Sequence, residues 1–177
     1  YKNIFDLTKR ISARAVNKKN IEALAQAGAF DSFPNMHRAQ YFHLYKDNTS
    51  FIELAIRFGN NVKEQNSSTA FSLFGDTVDN DIPEPEIPHA NPWVPFEKLQ
   101  KEKEVTGIYI SGHPLDDFEV EIKNFCNASF EDMERYRDKN VTIACMVSSV
   151  TKRMDKKGRP WASVIFEDLD ATMDIAF

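Results

Sequence analysis

"NKKNIEALAQAGAFDSF", residues Asn17 to Phe33, decides how the first part of the chain folds. Asn17 suits a helix N-cap, because its side-chain oxygen can accept from a backbone amide in the first turn. Val16 before it and Ile21 beyond it have the spacing of a hydrophobic staple. Ile21, Leu24 and Ala25 then form one apolar stripe. Gly28 follows as the expected C′ residue, since glycine enters the left-handed region without a Cβ clash. A tight turn from Ala29 to Asn35 should lead to a third helix carrying Met36, Tyr41, Leu44 and Tyr45. A helix, a glycine turn and a second helix can aim backbone amides at a phosphate without reading base sequence. The same pair is an ordinary part of helical bundles, so the turn alone leaves a purely structural role open.

Outward from this stretch, Ile4, Leu7 and Ile11 mark a short first helix, and Ser50 with Glu53 is a capping box for a fourth. That fourth helix is expected to stop at Gly59 and Asn60. Periodicity then vanishes as far as Pro95, and the five prolines from Pro83 to Pro95 predict an extended connector, with Trp93 as its anchor. Pro95 is a good first-turn residue for a helix running through Phe96 and Leu99 to Gly107. "GIYISGHPLDDF", residues 107–118, reads as a short β-like segment and a turn, with Gly112, His113 and Pro114 as structural turn residues. A helix with Phe118, Ile122 and Phe125 on one stripe follows, and Ser129 with Asp132 is expected to cap another turn or two. The period then changes from helical to alternating. Val141, Ile143, Cys145 and Val147 share a strand face, "DKKGR" at 155–159 supplies a glycine turn, and residues 160–169 and 172–177 supply two more strands. The expected fold class is α+β, with an N-terminal helical domain, a Pro-rich connector, short helices and a truncated antiparallel sheet, the front half of a small barrel.

Composition sets the outer bounds. The chain has 177 residues, 42% of them hydrophobic and 12% aromatic, which is globular composition. No apolar run approaches the roughly 20 residues needed to span a bilayer, and no secretory signal opens the chain, so a cytoplasmic location without a membrane partner is expected. Cys126 and Cys145 read as small hydrophobes rather than a disulfide framework. His37, His43, His89 and His113 lack metal-ligand company, and no metal is assigned. The formal net charge of -5 conceals segregation. Residues 1–20 hold six basic residues against Asp6, and residues 139–159 hold six against Asp155, so each stretch is +5. Residues 76–104 hold eight acids against three lysines, for -5. Clustered Lys and Arg is the footprint of a polyanion partner, and equally that of a solvated face.

No catalytic constellation emerges. Asp116-Asp117, Glu131-Asp132 and Glu167-Asp168 are adjacent acids, and neighbouring positions on a helix or strand point apart rather than onto one metal. Lys152, Arg153, Lys156, Lys157 and Arg159 crowd one hairpin beside Trp161. Charge for phosphate with a ring for stacking is the combination of single-strand binders, and a basic hairpin tip with Trp161 in the core is the alternative.

Four separated segments now carry a resemblance. "NIFDLTKRI", "AVNKKNIEALAQAGAFDSF" and "HRAQ" come first, "SLFG" second, "EKEVTGIYISGHPLDDF" third, and an alternating hairpin with "KKGRP" last. In this order they resemble the C-terminal third of the alpha subunit of bacterial DNA polymerase III. The resemblance implies a helix-hairpin-helix DNA-binding region over residues 1–60 and a loop with a clamp-binding motif over 61–94. It further implies a connecting helical segment over 95–139 and the start of an OB-fold over 140–177. It implies DNA contacts at Lys18, Lys19, Gly28, Lys152, Arg153, Lys156, Lys157, Arg159 and Trp161. Sliding-clamp contacts would fall at Ala70, Phe71, Ser72, Leu73 and Phe74. Ala70 stands where the family's clamp motif has glutamine, so amide hydrogen bonds worth about 1 kcal/mol each are missing there. The implied partners are duplex and single-stranded DNA, the sliding clamp (the beta subunit) and other holoenzyme subunits. No residue here matches the catalytic aspartates of the family's palm domain. The segment is thus expected to be non-catalytic and free of cofactor, while the whole polymerase would use Mg2+. A protein-only scaffold is the alternative, and an independent nuclease finds no residues to support it.

Overall fold

The computed structural model describes residues 1–12, 17–71 and 82–177, without the side chains of 68–71. The chain divides into two compact units, Tyr1–Ile110 and Ser111–Phe177. Helices and a three-stranded antiparallel sheet make it α+β, as the sequence predicts.

The first unit contains α1 (Ile4–Arg10), α2 (Lys18–Gln26), α3 (Arg38–Tyr41), α4 (Phe51–Phe71) and α5 (Pro95–Thr106). Its core joins Ile4, Phe5 and Leu7 of α1 to Ile21 and Ala25 of α2, Phe30 and Tyr41 around the turn, and Phe51, Ile52, Ala55 and Phe58 of α4. Phe5 meets Phe51 and Phe58 edge-on, at centroid separations of 5.9 and 5.4 Å, the geometry favoured by the ring quadrupole. The caps follow from local chemistry. Asn17 Oδ1 accepts from the Asn20 amide at 3.0 Å. Ser50 and Glu53 satisfy each other's amides at 3.3 and 2.9 Å. That bond from the Ser50 amide, followed by Lys18, holds the Glu53 carboxyl below its ordinary range. The staple residue Val16 lies outside the described residues.

Gly59 does not end α4. The helix continues to Phe71, and a Cβ at Gly59 would sit 2.6 Å from the backbone carbon and oxygen of Thr8. The residue is a helix-crossing glycine, where the missing side chain lets α1 approach α4. Two other expectations in this unit are corrected. The third helix is one turn long, because Phe42 leaves the helix and Leu44 bridges to Ser50 around Asn48, whose φ is +65°. Residues 107–111 form bends rather than a β segment, held by Thr106 Oγ1 and by Glu102, which accepts from the Ile110 amide at 2.9 Å. The connector from 82 to 94 is extended. Gln40 donates to the Pro88 carbonyl at 2.8 Å, His37 Nε2 lies 3.1 Å from the Ala90 carbonyl, and Trp93 packs on Phe42.

The second unit holds a 3-10 turn (Asp116–Phe118), α6 (Glu119–Phe125), a second 3-10 turn (Met133–Tyr136) and strands β1 (Met146–Met154), β2 (Pro160–Glu167) and β3 (Thr172–Ala176) in the order β1-β2-β3. The sheet starts later than the alternation at Val141 suggests, since residues 140–145 carry no strand. Asn127 accounts for this: its amide donates to the Thr142 carbonyl and its side chain accepts from the Thr142 amide, so that stretch pairs with a loop. The second 3-10 turn begins after Asp132 rather than after a Ser129 cap. Phe118 and Phe125 are exposed while Ile122 between them is half-buried, so only the middle of the expected stripe is covered. In this unit Leu115 and Asp168 alone are buried among the described residues.

Replacing Gly59 by alanine pushes a methyl into the Thr8 backbone, and overpacking of this kind costs about 1–3 kcal/mol. Chemical denaturation of Gly59→Ala is expected to show that loss. An unchanged or raised midpoint would contradict the close crossing.

Candidate nucleic-acid interface

The glycine turn is built from a Schellman cap. Ala29 N–H donates to the Leu24 carbonyl at 2.9 Å and Gly28 N–H to the Ala25 carbonyl at 3.2 Å, with Gly28 at φ +86°. This is the pairing that a left-handed C′ glycine makes, and it spends both amides on α2's own carbonyls. Gly28 therefore shapes the turn; its amide is already bonded.

Across the turn lies a buried charge. Arg38, first residue of α3, is 7% exposed. Its guanidinium reaches Asp31 through Nε at 2.8 and 3.1 Å and through Nη2 at 2.6 Å. Nη1 donates to the Gln26 carbonyl at 3.0 Å and to Glu102 Oε1 at 2.6 Å. Glu102, on α5, is fully buried. Burial opposes the charge on Arg38, and the hydrogen bonds to Asp31 and Glu102 outweigh it, so its pKa is raised. A Cβ on Gly28 would lie 2.1 Å from Nη2, so the glycine also clears the path of the guanidinium. Burial, then the charge of Asp31, pushes the Tyr41 hydroxyl upward. Beside the network, Asp31, His37, Trp93 and Lys98 line part of a cleft of about 260 Å3.

Of the expected contacts in this unit, Lys18 pairs with Glu53 at 3.0 Å and Glu22 at 3.6 Å, and the Glu53 bond chiefly raises its pKa. Lys19 is exposed on the first turn of α2. Ala70 and Phe71 close α4, whereas Ser72, Leu73 and Phe74 lie outside the described residues.

In the second unit the register separates the basic residues. Arg153 pairs with Trp161, and its guanidinium lies 5.5 Å from the ring centroid. Thr151 opposite Ser163 and Ser149 opposite Ile165 continue that face. Lys152 pairs with Ala162 on the other face, in line with Val150 opposite Val164 and Met154 opposite Pro160, because successive strand residues alternate. At the tip, Asp155 accepts from the amides of Arg159 and Lys157 at 2.8 and 2.7 Å and from Arg159 Nε at 2.8 Å. Those bonds, the Arg159 amide first, hold its carboxyl below the ordinary range. Arg159 is thus tied back, and Lys156 and Lys157 stand exposed beside Gly158 at φ +77°.

The adjacent acids have structural occupations. Asp116 accepts from the His113 amide at 2.6 Å, and Asp132 pairs with Arg135 at 2.7 Å. Buried Asp168 accepts from the amides of Phe130, Asp170 and Ala171 at 2.6, 3.0 and 2.8 Å. Among the described residues no group of three or more His, Cys, Asp or Glu converges as a metal site. No helix among them is long and apolar enough to cross a membrane.

Sequence reasoning missed the Arg38, Asp31 and Glu102 network. The local signals near Arg38 are a capping pattern and a short helix, and its buried partner stands 64 residues away.

A capped glycine turn between short helices defines a helix-hairpin-helix element, and residues 1–41 match the family model described as a helix-hairpin-helix motif. Along its whole length the chain is similar to a DNA polymerase III subunit alpha of Saccharopolyspora erythraea, at 32% identity over all of this chain and 15% of the relative. The corresponding subunit of Treponema pallidum is 31% identical over 99% of this chain and 14% of the relative. That of Mycobacterium tuberculosis is 29% identical over 97% and 14%. The chain is thus similar along its whole length to a segment of DNA polymerase III alpha subunits, and it spans about 15% of the length of these relatives.

Proposed function

We propose that this chain is a non-catalytic region of a replicative DNA polymerase, serving DNA replication by holding DNA through its backbone and by attaching to a sliding clamp. The observation that carries the reading is the helix-hairpin-helix match over residues 1–41 within a chain similar throughout to polymerase alpha subunits. On this reading the capped turn presents the end of a helix pair to duplex phosphates, with Lys18 and Lys19 adding charge and Gly28 acting by shape. The strands over 140–177 act as the start of an OB-fold for single-stranded template. There Arg153 and Trp161 offer a cation and a ring on one face, Lys156, Lys157 and Arg159 supply charge at the hairpin tip, and Lys152 supplies it on the opposite face. The clamp peptide is "AFSLF", residues 70–74, whose apolar pair Leu73 and Phe74 enters a hydrophobic groove. The remaining holoenzyme subunits and the Mg2+ chemistry belong to the whole polymerase.

One observation favours the scaffold reading instead. Gly28 and Ala29 amides, Lys18 and Arg159 all have partners within the chain, which leaves fewer groups for phosphate.

Salt dependence separates the two. Phosphate neutralisation predicts that affinity for single-stranded DNA falls linearly on a log-log plot, by about 0.7 per contact. Reversing Lys156 and Lys157 to glutamate is expected to flatten that slope by roughly 1–2. No binding at low salt, or an unchanged slope, sinks the DNA assignment. For the clamp, titration with the chain and with its Leu73→Ala, Phe74→Ala variant should show binding by the first alone, and equal binding removes the proposal.

A further inference from the structure

Two donors, the Arg38 guanidinium and the Ile110 amide, and three acceptors, the Gln26 carbonyl and the carboxylates of Asp31 and Glu102, form a continuous path around the glycine turn. Gln26 ends α2, Asp31 lies in the turn, Arg38 opens α3, Glu102 lies on α5, and Ile110 is the last residue of the first unit. Arg38 Nη1 bonds both the Gln26 carbonyl and Glu102 Oε1, while Glu102 Oε2 accepts from the Ile110 amide. Each Glu102 oxygen therefore has its own donor, one from the turn and one from the end of the unit.

We propose that Arg38 is a positioning residue. It does not touch DNA; it sets the glycine turn against α5 through Glu102, and the same carboxylate fixes the place where the chain leaves the first unit. The inference rests on the DNA-backbone reading above and names the device that holds the DNA-facing turn in shape.

Chemistry supports this role over a phosphate contact. All three guanidinium nitrogens of Arg38 are engaged within the chain, at 2.6 to 3.1 Å, and the side chain is 7% exposed. A phosphate approaching it would also meet the carboxylates of Asp31 and Glu102. A lysine keeps the charge but is a single point donor, so it cannot serve Gln26, Asp31 and Glu102 from one rigid plane. A glutamine at 102 has one oxygen, so either Arg38 or Ile110 would face an NH2 group.

The test uses the whole chain with Arg38→Lys, Arg38→Gln and Glu102→Gln, a short mixed-sequence duplex as probe, and amide hydrogen exchange without DNA. Positioning predicts that all three variants bind the duplex at least about tenfold more weakly, and that lysine does not rescue. It also predicts that exchange at Ala29 and Ile110 speeds up together, and by more than at the Phe51 and Phe58 amides of the core. A direct phosphate contact predicts the opposite pattern, with Arg38→Lys close to the unmodified chain and Glu102→Gln binding more tightly because an acid has gone. That pattern, or unchanged exchange at Ile110 in Arg38→Lys, overturns the proposal. If the unmodified chain fails to bind duplex at low salt, the DNA reading falls, and the exchange measurement still decides whether Arg38 sets the turn.

Discussion

The first unit turns on one buried guanidinium. A charge taken out of water costs several kcal/mol unless its donors are matched, and Arg38 is matched by a carbonyl and two carboxylates from three different parts of the chain. Those parts are α2, the turn and α5. The apolar core assembles α1, α2 and α4 without direction, as hydrophobic burial does. The Arg38 network supplies the direction, because a planar fork accepts its partners in few orientations.

Two glycines serve the same end by different means. Gly28 takes a positive φ, closes α2 with both bonds of its cap, and leaves room for the guanidinium to cross. Gly59 keeps helical geometry and leaves room for the Thr8 backbone. In one case the freedom used is conformational and in the other it is steric, and local sequence does not distinguish them. This is why Gly28 was legible as a cap and Gly59 reads wrongly as a helix end.

The same division runs through the chain. Caps and turns depend on residues three or four positions apart, so Asn17, the Ser50 and Glu53 box, Pro95 and Gly158 can be read directly. The Lys, Arg and Trp cluster at 152–161 can also be read as a cluster, but its division between two faces needs the register of Arg153 with Trp161 and Lys152 with Ala162. Arg38, Glu102 and Asp168 are charged residues buried by partners remote in sequence, and composition places such residues on the surface. Pairing of Asn127 with Thr142 likewise removes residues 140–145 from a strand that their alternation suggests. Family resemblance reaches further than either, since it joins four separated segments, and the relatives agree with it along the whole chain.

The central claim is that Arg38 and Glu102 act as one unit in holding the first unit together. A double-mutant cycle tests it most directly: Arg38→Met, Glu102→Leu and the pair, in a Trp161→Phe background so that Trp93 reports urea unfolding of the first unit. Arg38→Met strands the buried Glu102 carboxylate and should cost about 3–5 kcal/mol, Glu102→Leu leaves Arg38 with Asp31 and should cost less, and the double change strands no buried charge and should cost much less than their sum. Additive losses would contradict the account.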